Sequence, residues 1–114
     1  MRTLVKKFKA LADSNRIRIL KMLEVRPMCV CEITEVLNLA ASTVSKHLSI
    51  LRDADFIIDS KDGKWVNYCL NKENTDPQVN QLLKNIGEWL PDDELIINDR
   101  KNVNTVNRNK ICGV

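Results

Sequence analysis

The Asp62-Gly63 dipeptide constrains the fold more than any other feature, because it separates two runs of β-branched and aromatic residues. Those runs are residues 56–58 and 65–70. A two-residue hairpin turn of this kind needs positive φ at its central positions, which Asp tolerates and Gly adopts freely. The chain has only three glycines and three prolines, too few turn residues for a sandwich of many strands. The sequence therefore predicts a mainly α domain with one small two-stranded β-hairpin.

Apolar residues at helical spacing predict five helices around this hairpin. Asp13 or Ser14 is expected to cap the second helix, Ser42 the fourth, and Asp76 the fifth, while Asn38 suits a left-handed exit from the third. The apolar stripes, in chain order, are Leu4, Val5, Phe8 and Leu11; Ile17, Leu20 and Leu23; Ile33, Val36 and Leu37; Val44, Leu48 and Leu51; and Val79, Leu82, Leu83, Ile86, Trp89 and Leu90.

The basic residues of the second helix, Arg16, Arg18 and Lys21, are expected to keep their charged groups in water. The first 28 residues hold eight basic and two acidic side chains. An excess of this size is only weak evidence for nucleic acid binding.

A length of 114 residues fits one domain. We expect residues 1–91 to form it and residues 92–114, which are rich in asparagine, to form a flexible C-terminal tail. No apolar run approaches the roughly 20 residues that span a bilayer. The first residues do not resemble a secretory signal, so we expect a cytoplasmic protein whose cysteines stay reduced.

Two short helices, the second polar on its outer face, followed by a hairpin with a basic tip, are typical of a winged helix-turn-helix. With Val44 facing the core, a helical projection places Ser42 and Lys46 roughly opposite, and Thr43 and Ser45 on the flanks. Hydroxyl and ammonium groups at a helix start can reach base edges and phosphates in the major groove. For the polar helix start alone, a solvated surface would be the commoner explanation.

Four motifs occur in the order typical of one family: residues 8–20 (FKALADSNRIRIL), 28–33 (MCVCEI), 42–48 (STVSKHL) and 63–68 (GKWVNY). Together they resemble the ArsR family of metalloid-responsive winged helix-turn-helix repressors, over about residues 4–90. The resemblance implies a homodimer that binds a two-fold symmetric operator in double-stranded DNA, represses its own operon and leaves the DNA when inducer binds.

The resemblance also implies roles for individual residues. The recognition helix would contact DNA, and the lysines at the hairpin tip would meet phosphate or the minor groove. Many relatives carry Gln where this chain has Ala41, so a different or less specified base is expected there. The implied DNA-binding residues are Ser42, Thr43, Ser45, Lys46, His47, Lys61 and Lys64. Taken singly, His47 is as easily explained as a packed structural histidine and the lysines as solvated.

Cys29 and Cys31 stand at the predicted start of the third helix, where the helix dipole favours the thiolate that soft metalloids require. The CVC sequence resembles the arsenic-sensing box of the family, which implies trivalent arsenic or antimony as inducer and no cofactor for DNA binding. Side chains at i and i+2 of a regular helix point about 200° apart, so one ion can engage both sulfurs only if the first turn distorts or Cys29 lies outside it. Deformation of this helix start is therefore the expected signal to the recognition helix.

A third sulfur ligand is not supplied by the third helix, because Thr34 stands where some relatives have a cysteine. Cys112 on the tail is the main candidate, and Cys69 in a hairpin strand is more typical of a structural residue. Water or a small external thiol would serve as well. Residues 76–97 contain no histidine, which disfavours a tetrahedral zinc site of His and carboxylate ligands on the last predicted helix.

Three other functions use the same residues differently. In a thiol-redox or sulfur-species-sensing repressor, Cys29 and Cys31 would form a disulfide or react with sulfur species. A thiol oxidoreductase is disfavoured because no βαβ pattern flanks the pair, so we expect no enzyme activity. A purely structural dimer module would leave the polar helix unused. In every dimeric case we expect the first and fifth helices to pair through Leu4, Val5, Phe8, Leu82, Ile86 and Trp89.

Overall fold

The computed structural model describes residues 1–107, which fold into six helices and a small sheet around one hydrophobic core. The elements in chain order are α1 (Arg2–Leu11), α2 (Ser14–Leu23), β1 (Met28–Cys29), α3 (Val30–Leu37), α4 (Ala41–Asp53), β2 (Ile57–Asp62), β3 (Trp65–Leu70), α5 (Pro77–Glu88) and α6 (Glu94–Thr105). This is a winged helix-turn-helix, and the prediction of a mainly α fold with a β-hairpin is confirmed. None of the helices in residues 1–107 is long and apolar enough to cross a membrane.

The sheet has three antiparallel strands in the order β1-β3-β2, one more than predicted. The extra strand, β1, places Met28 opposite Tyr68 and Cys29 opposite Asn67. Two residues are too few to show a period-2 pattern, so β1 could not be predicted from apolar spacing. The sheet consequently joins the cysteine segment to the wing, which is the β2–β3 hairpin.

The turn of the wing lies one residue later than predicted. Asp62 pairs with Trp65, which leaves Gly63 and Lys64 at the centre of the turn. Of these two, only Gly63 has positive φ, at 62°. A turn with positive φ at its first central residue alone is the II′ pattern, for which Gly is the suitable first residue.

Apolar side chains of α3 and α4 anchor the helix-turn-helix to the hydrophobic core. Ile33 on α3 and Val44, Leu48 and Leu51 on α4 are completely buried. Asn38 ends α3 in the left-handed conformation, with φ 56° and ψ 46°, as predicted. The short connection to α4 that follows brings the two helices into direct packing. A displacement of α3 therefore acts directly on α4.

Helix starts agree with the predicted caps at Asp13 and Asp76, whose carboxylates accept amide hydrogen bonds from α2 and α5. The prediction for Ser42 is wrong, because the N-cap of α4 is Ala40, two residues earlier. No side chain within the described chain caps that helix start. The Ser42 hydroxyl thus lies on the exposed first turn instead of closing it.

The basic residues of α2 are mostly withdrawn from water, contrary to expectation. The side chain of Lys21 is 2% exposed, and its Nζ donates to the carbonyls of Ile86 and Trp89 at 2.9 and 2.8 Å. These carbonyls lie at the end of α5, where a helix leaves acceptors without intrahelical donors. Lys21 therefore caps α5 through a contact that sequence spacing does not show.

A sixth helix occupies Glu94–Thr105, where a flexible tail from residue 92 was expected. Ile96 and Val103 of this helix are buried. Asp99 is 1% exposed and accepts a two-pronged hydrogen bond from Arg18 of α2, at 2.8 and 2.9 Å. The expectation of a flexible tail was wrong for this segment, because the Arg18–Asp99 ion pair docks α6 on α2. Only two buried apolar side chains of α6 add to this docking.

Candidate DNA-binding surface and cysteine site

Four of the predicted DNA-binding residues lie together on the exposed first turns of α4. Ser42, Thr43, Ser45 and Lys46 are all exposed, while Val44 between them is completely buried and fixes the rotation of the helix. Small hydroxyl side chains next to one lysine leave room for close approach of a DNA backbone. The arrangement is the one that the helical projection predicted.

His47 lies half-buried at the edge of this surface. Its Nδ1 lies 3.1 Å from Nη1 of Arg16 on α2. An arginine guanidinium only donates, so Nδ1 is the acceptor and the proton of the neutral ring is on Nε2. One ring nitrogen is therefore held inside the protein, as expected of a packed histidine, and the ring borders the exposed α4 surface. Its contact with DNA stays a prediction.

A cleft of about 590 Å³ opens beside α4. Its walls bring the N-terminal end of α2 against the first two turns of α4, so charged and hydroxyl groups converge there. The lining residues are Asp13, Arg16, Ser42, Thr43, Lys46, His47 and Ile50.

The wing carries the two predicted lysines at its tip. Lys61 on β2 and Lys64 in the turn are both exposed. The Nζ of Lys64 lies 5.5 Å from the centroid of the Trp65 ring, within the range of a cation–π contact. The ring therefore supports the lysine stem at the tip while the charge stays accessible.

The cysteine pair straddles the start of α3. Cys29 is the N-cap, with extended backbone (φ −88°, ψ 166°), and belongs to β1, whereas Cys31 is the second residue of the helix. One ion could engage both sulfurs if the first turn were distorted or if Cys29 lay outside the helix. The structure has the second arrangement, with Cys29 outside the regular helix. Cys29 is 3% exposed and is a free thiol, and Cys31 is half-buried. Cys31 takes part in a disulfide bond, so the expectation that the cysteines stay reduced is wrong for this residue in the structure.

The other two cysteines do not complete this site in the described residues. Cys69 is half-buried on β3, opposite Ile58 of the wing. Cys112, the candidate third ligand, lies outside the described residues. Within residues 1–107, no group of three or more His, Cys, Asp or Glu side chains is placed to hold a metal ion.

Glu32 is the acidic neighbour of Cys29. Its Oε1 accepts from the Cys29 amide at 3.1 Å, and the Glu32 amide in turn approaches the Cys29 side chain, completing a capping box. Burial raises the pKa of the Cys29 thiol, and the Glu32 carboxylate raises it further, which outweighs the backbone hydrogen bonds that lower it. The expectation that the helix start lowers this thiol pKa is therefore wrong for Cys29.

Arg26 connects this capping box to α6. Its Nη2 lies 3.0 Å from Oε2 of Glu32 and also donates to the carbonyls of Val103 and Val106, at 3.0 and 3.2 Å. Burial would raise the pKa of Glu32, but the hydrogen bonds from Arg26 and Cys29 lower it below its ordinary value. The end of α6 thus meets the cysteine site through two side chains.

Sequence reasoning missed Arg16, Arg26 and Glu32 as parts of these sites. A signal for Glu32 was present, because a polarisable cap residue followed three positions later by Glu is the capping-box pattern, here with Cys29 in the place of Ser or Thr. Arg16 and Arg26 make contacts 31 and 77 residues away along the chain. No local pattern in the sequence indicates such contacts.

Comparison with known proteins adds a family match. Residues 13–59 match the model of the bacterial regulatory protein, arsR family. The chain is 40% identical over 94 residues to the arsenic resistance transcriptional regulator ArsR1 of Pseudomonas putida, covering 77% of this chain and 72% of that protein. It is 43% identical over 84 residues to the arsenical resistance operon repressor of Bacillus subtilis, covering 73% and 76%.

A solved structure, reduced HlyU from Vibrio cholerae, matches with a TM-score of 0.65 and 27% identity. The match covers 79% of this chain and 90% of that one.

Proposed function

Because the chain belongs to the ArsR family of bacterial regulatory proteins, and is thus a DNA-binding winged helix-turn-helix transcriptional repressor, we propose that its inducer is trivalent arsenic or antimony. The inducer binds Cys29 and Cys31 and releases the operator. The observation that carries the proposal is the position of Cys29 as the N-cap of α3, whose helix packs directly on α4.

The chemistry is exchange of arsenic-bound hydroxide for sulfur. Cys31 takes part in a disulfide bond in the structure, so a dithiol reductant must cleave that bond first: it delivers two electrons and two protons, leaves two thiols and becomes a disulfide itself. Arsenous acid, As(OH)₃, and the thiols of Cys29 and Cys31 then give two As–S bonds and two molecules of water, with no change in the oxidation state of arsenic. Soft sulfur donors suit such a thiophilic centre. The raised pKa of Cys29 means that its thiol arrives protonated, and that proton leaves in the water formed.

Ligation changes the start of α3 because the two cysteines occupy different elements. Cys29 is in an extended conformation and pairs with Asn67 of β3. Drawing its sulfur toward Cys31 competes with the capping box and with the β1–β3 pairing. The altered α3 then moves α4, and a coupling of about 1–3 kcal/mol, roughly 5- to 150-fold in DNA affinity, is typical of such allostery.

DNA is read by the exposed turns of α4, and the wing lysines contact the backbone. In a symmetric dimer the two α4 helices occupy successive major grooves, which puts the half-sites about 34–36 Å apart. The residues proposed to contact DNA are Ser42, Thr43, Ser45, Lys46, His47, Lys61 and Lys64.

The dimer is proposed to form through α1 and α5. Leu4, Phe8 and Leu82 line an apolar groove of about 310 Å³ between these helices, and the exposed fractions of Val5 and Phe8 are 42% and 54%. Trp89, 55% exposed, lies just beyond α5. Ile86 is left out of the proposed interface, because this side chain is 3% exposed and already belongs to the core of the single chain.

The test is arsenite titration of the reduced protein bound to its labelled upstream DNA, followed by fluorescence anisotropy. We expect release from the wild type, and full binding without release from the double variant Cys29→Ser, Cys31→Ser. The control Cys69→Ser removes a thiol outside α3 and should respond as the wild type does. Release of the double variant by arsenite would contradict the proposal.

Antimonite, cadmium, zinc and peroxide are titrated in parallel. Release by peroxide with no response to arsenite or antimonite would identify the thiol-redox repressor instead. Absence of any salt-sensitive DNA binding would point to a structural dimer module.

A further inference from the structure

Arg16 joins three elements through one side chain. Its Nε donates to the Ala10 carbonyl at 2.7 Å, its Nη2 to the Lys9 carbonyl at 3.2 Å, and its Nη1 to Nδ1 of His47 at 3.1 Å. The side chain is 14% exposed. Three of the five N–H donors of this guanidinium are therefore used within the protein.

The two carbonyls belong to the last turn of α1, where a helix lacks intrahelical donors for its terminal acceptors. A cation at this end also complements the negative end of the helix dipole. Arg16 is thus a C-terminal cap of α1 supplied by α2. The same guanidinium reaches α4 at His47, in the second turn of that helix.

The charges around the guanidinium agree with this arrangement. Asp13, the N-cap of α2, has Oδ2 4.0 Å from Nη1, while its other oxygen accepts the amides of Asn15 and Arg16. The imidazole, as acceptor at Nδ1, presents N–H at Nε2 and has its ring plane set by the arginine. The contact orients His47 and, through it, the edge of the DNA-reading surface.

We propose that Arg16 is a positioning residue for DNA binding, which fixes α4 relative to α1, the helix proposed to form the dimer. It holds the reading helix at a set distance from the two-fold axis and does not itself contact a phosphate. This inference rests on the proposed binding of DNA by α4 in a dimer.

The salt dependence of Arg16→Gln, which removes the charge, separates positioning from phosphate contact: its slope of log affinity against log salt should stay that of the wild type. Arg16→Lys keeps the positive charge but cannot reach two carbonyls and an imidazole with a single ammonium group. We expect DNA affinity to fall about tenfold, within the range of intramolecular coupling, while the slope of log affinity against log salt stays that of the wild type. The control Lys46→Gln should reduce that slope by about 1, as expected for loss of a phosphate contact.

The ring nitrogens of His47 provide a readout that does not depend on DNA. His47 is the only histidine of the chain, so its ¹⁵N signals are unambiguous. In the wild type we expect Nδ1 unprotonated and Nε2 protonated, and in Arg16→Lys loss of this fixed tautomer. A second variant, His47→Asn, keeps an acceptor near the position of Nδ1 and should retain more affinity than His47→Leu.

Each outcome has a distinct meaning. Unchanged affinity of Arg16→Lys, with the wild type binding DNA, overturns the inference alone, as does a reduced salt slope in Arg16→Gln with wild-type behaviour of Arg16→Lys. Failure of the wild type to bind DNA overturns the proposed function. Circular dichroism and sedimentation check that each variant is folded and dimeric, and a monomeric Arg16→Lys with an intact His47 tautomer also contradicts positioning.

Discussion

At the scale of single residues, Cys29 combines two roles that oppose each other. As N-cap it is buried, hydrogen-bonded at its amide to Glu32 and paired with β3; as proposed ligand it must move its sulfur toward Cys31. A residue whose resting contacts are lost on ligand binding is suited to transmit a signal. A helix cap of Ser or Thr would hold α3 equally well but offers no soft donor.

Replacement of Glu32 by Gln tests the capping box. The variant leaves Arg26 with a neutral partner, and we expect the free energy of unfolding at neutral pH to fall by about 1–3 kcal/mol. Because the folded-state pKa of Glu32 lies below its ordinary value of 4.5, the contribution is fully present above that value and is lost as the pH falls through the folded pKa.

Urea unfolding at neutral pH and at a pH below the folded-state pKa of Glu32 measures this difference. Wild type and Glu32→Gln should converge in acid. A constant difference between them at both pH values would show that the carboxylate charge is not the stabilising feature.

At the scale of elements, α6 shows what the sequence could not reveal. Residues 92–107 contain several asparagines and few apolar groups, so composition favoured a tail. The helix is stabilised instead by contacts far away in sequence, from Arg18 to Asp99 and from Arg26 to the carbonyls of its last turn. By contrast, the local signals at Asp13, Asn38 and Asp76 were sufficient, because caps and left-handed exits depend on neighbouring residues only.

Replacement of Asp99 by Asn tests how α6 is docked. The change leaves Arg18, whose side chain is 16% exposed, without its charged partner, and we expect a loss of about 1.5–3 kcal/mol in the free energy of unfolding. The matched control is Asp59→Asn in the exposed pair with Arg52, where less than about 1 kcal/mol is expected.

Denaturant unfolding gives both values, and amide hydrogen exchange shows which element opens. Faster exchange should be concentrated in α6 in Asp99→Asn. Equal losses for the two variants would mean that the buried pair does not dock the helix.

At the scale of the whole molecule, the apolar groove between α1 and α5 is the surface that the dimer proposal uses. Replacement of Phe8 by Ser removes an aromatic side chain that the single chain leaves 54% exposed. If the partner buries it, each copy loses about 1.5–3 kcal/mol of association free energy. Sedimentation should show a shift to monomer, and DNA affinity should fall in parallel.

The control for this variant is Ile97→Ser. Ile97 is 40% exposed on α6, outside the proposed interface, and its replacement should leave the dimer intact. A dimer unaffected by Phe8→Ser but disrupted by Ile97→Ser would place the interface on α6 instead.

The sequence was sufficient for the helix-turn-helix, the wing and the exposed polar face of α4, because these follow from apolar spacing and turn residues. It placed the cysteines correctly at the start of α3, yet the expected sign of the thiol pKa shift was wrong for Cys29. The helix dipole alone would lower the pKa of the Cys29 thiol, whereas burial and the neighbouring Glu32 carboxylate raise it. Electrostatic environment depends on packing, which periodicity does not report.

Arsenic X-ray absorption on the reduced, arsenite-loaded protein tests whether Cys29 and Cys31 bind the inducer. If Cys29 and Cys31 bind the inducer, sulfur atoms occupy the first coordination shell of arsenic in the wild type and in Cys69→Ser, and oxygen dominates that shell in the double variant Cys29→Ser, Cys31→Ser. An unchanged sulfur shell in that double variant would place the inducer elsewhere and contradict its binding by Cys29 and Cys31.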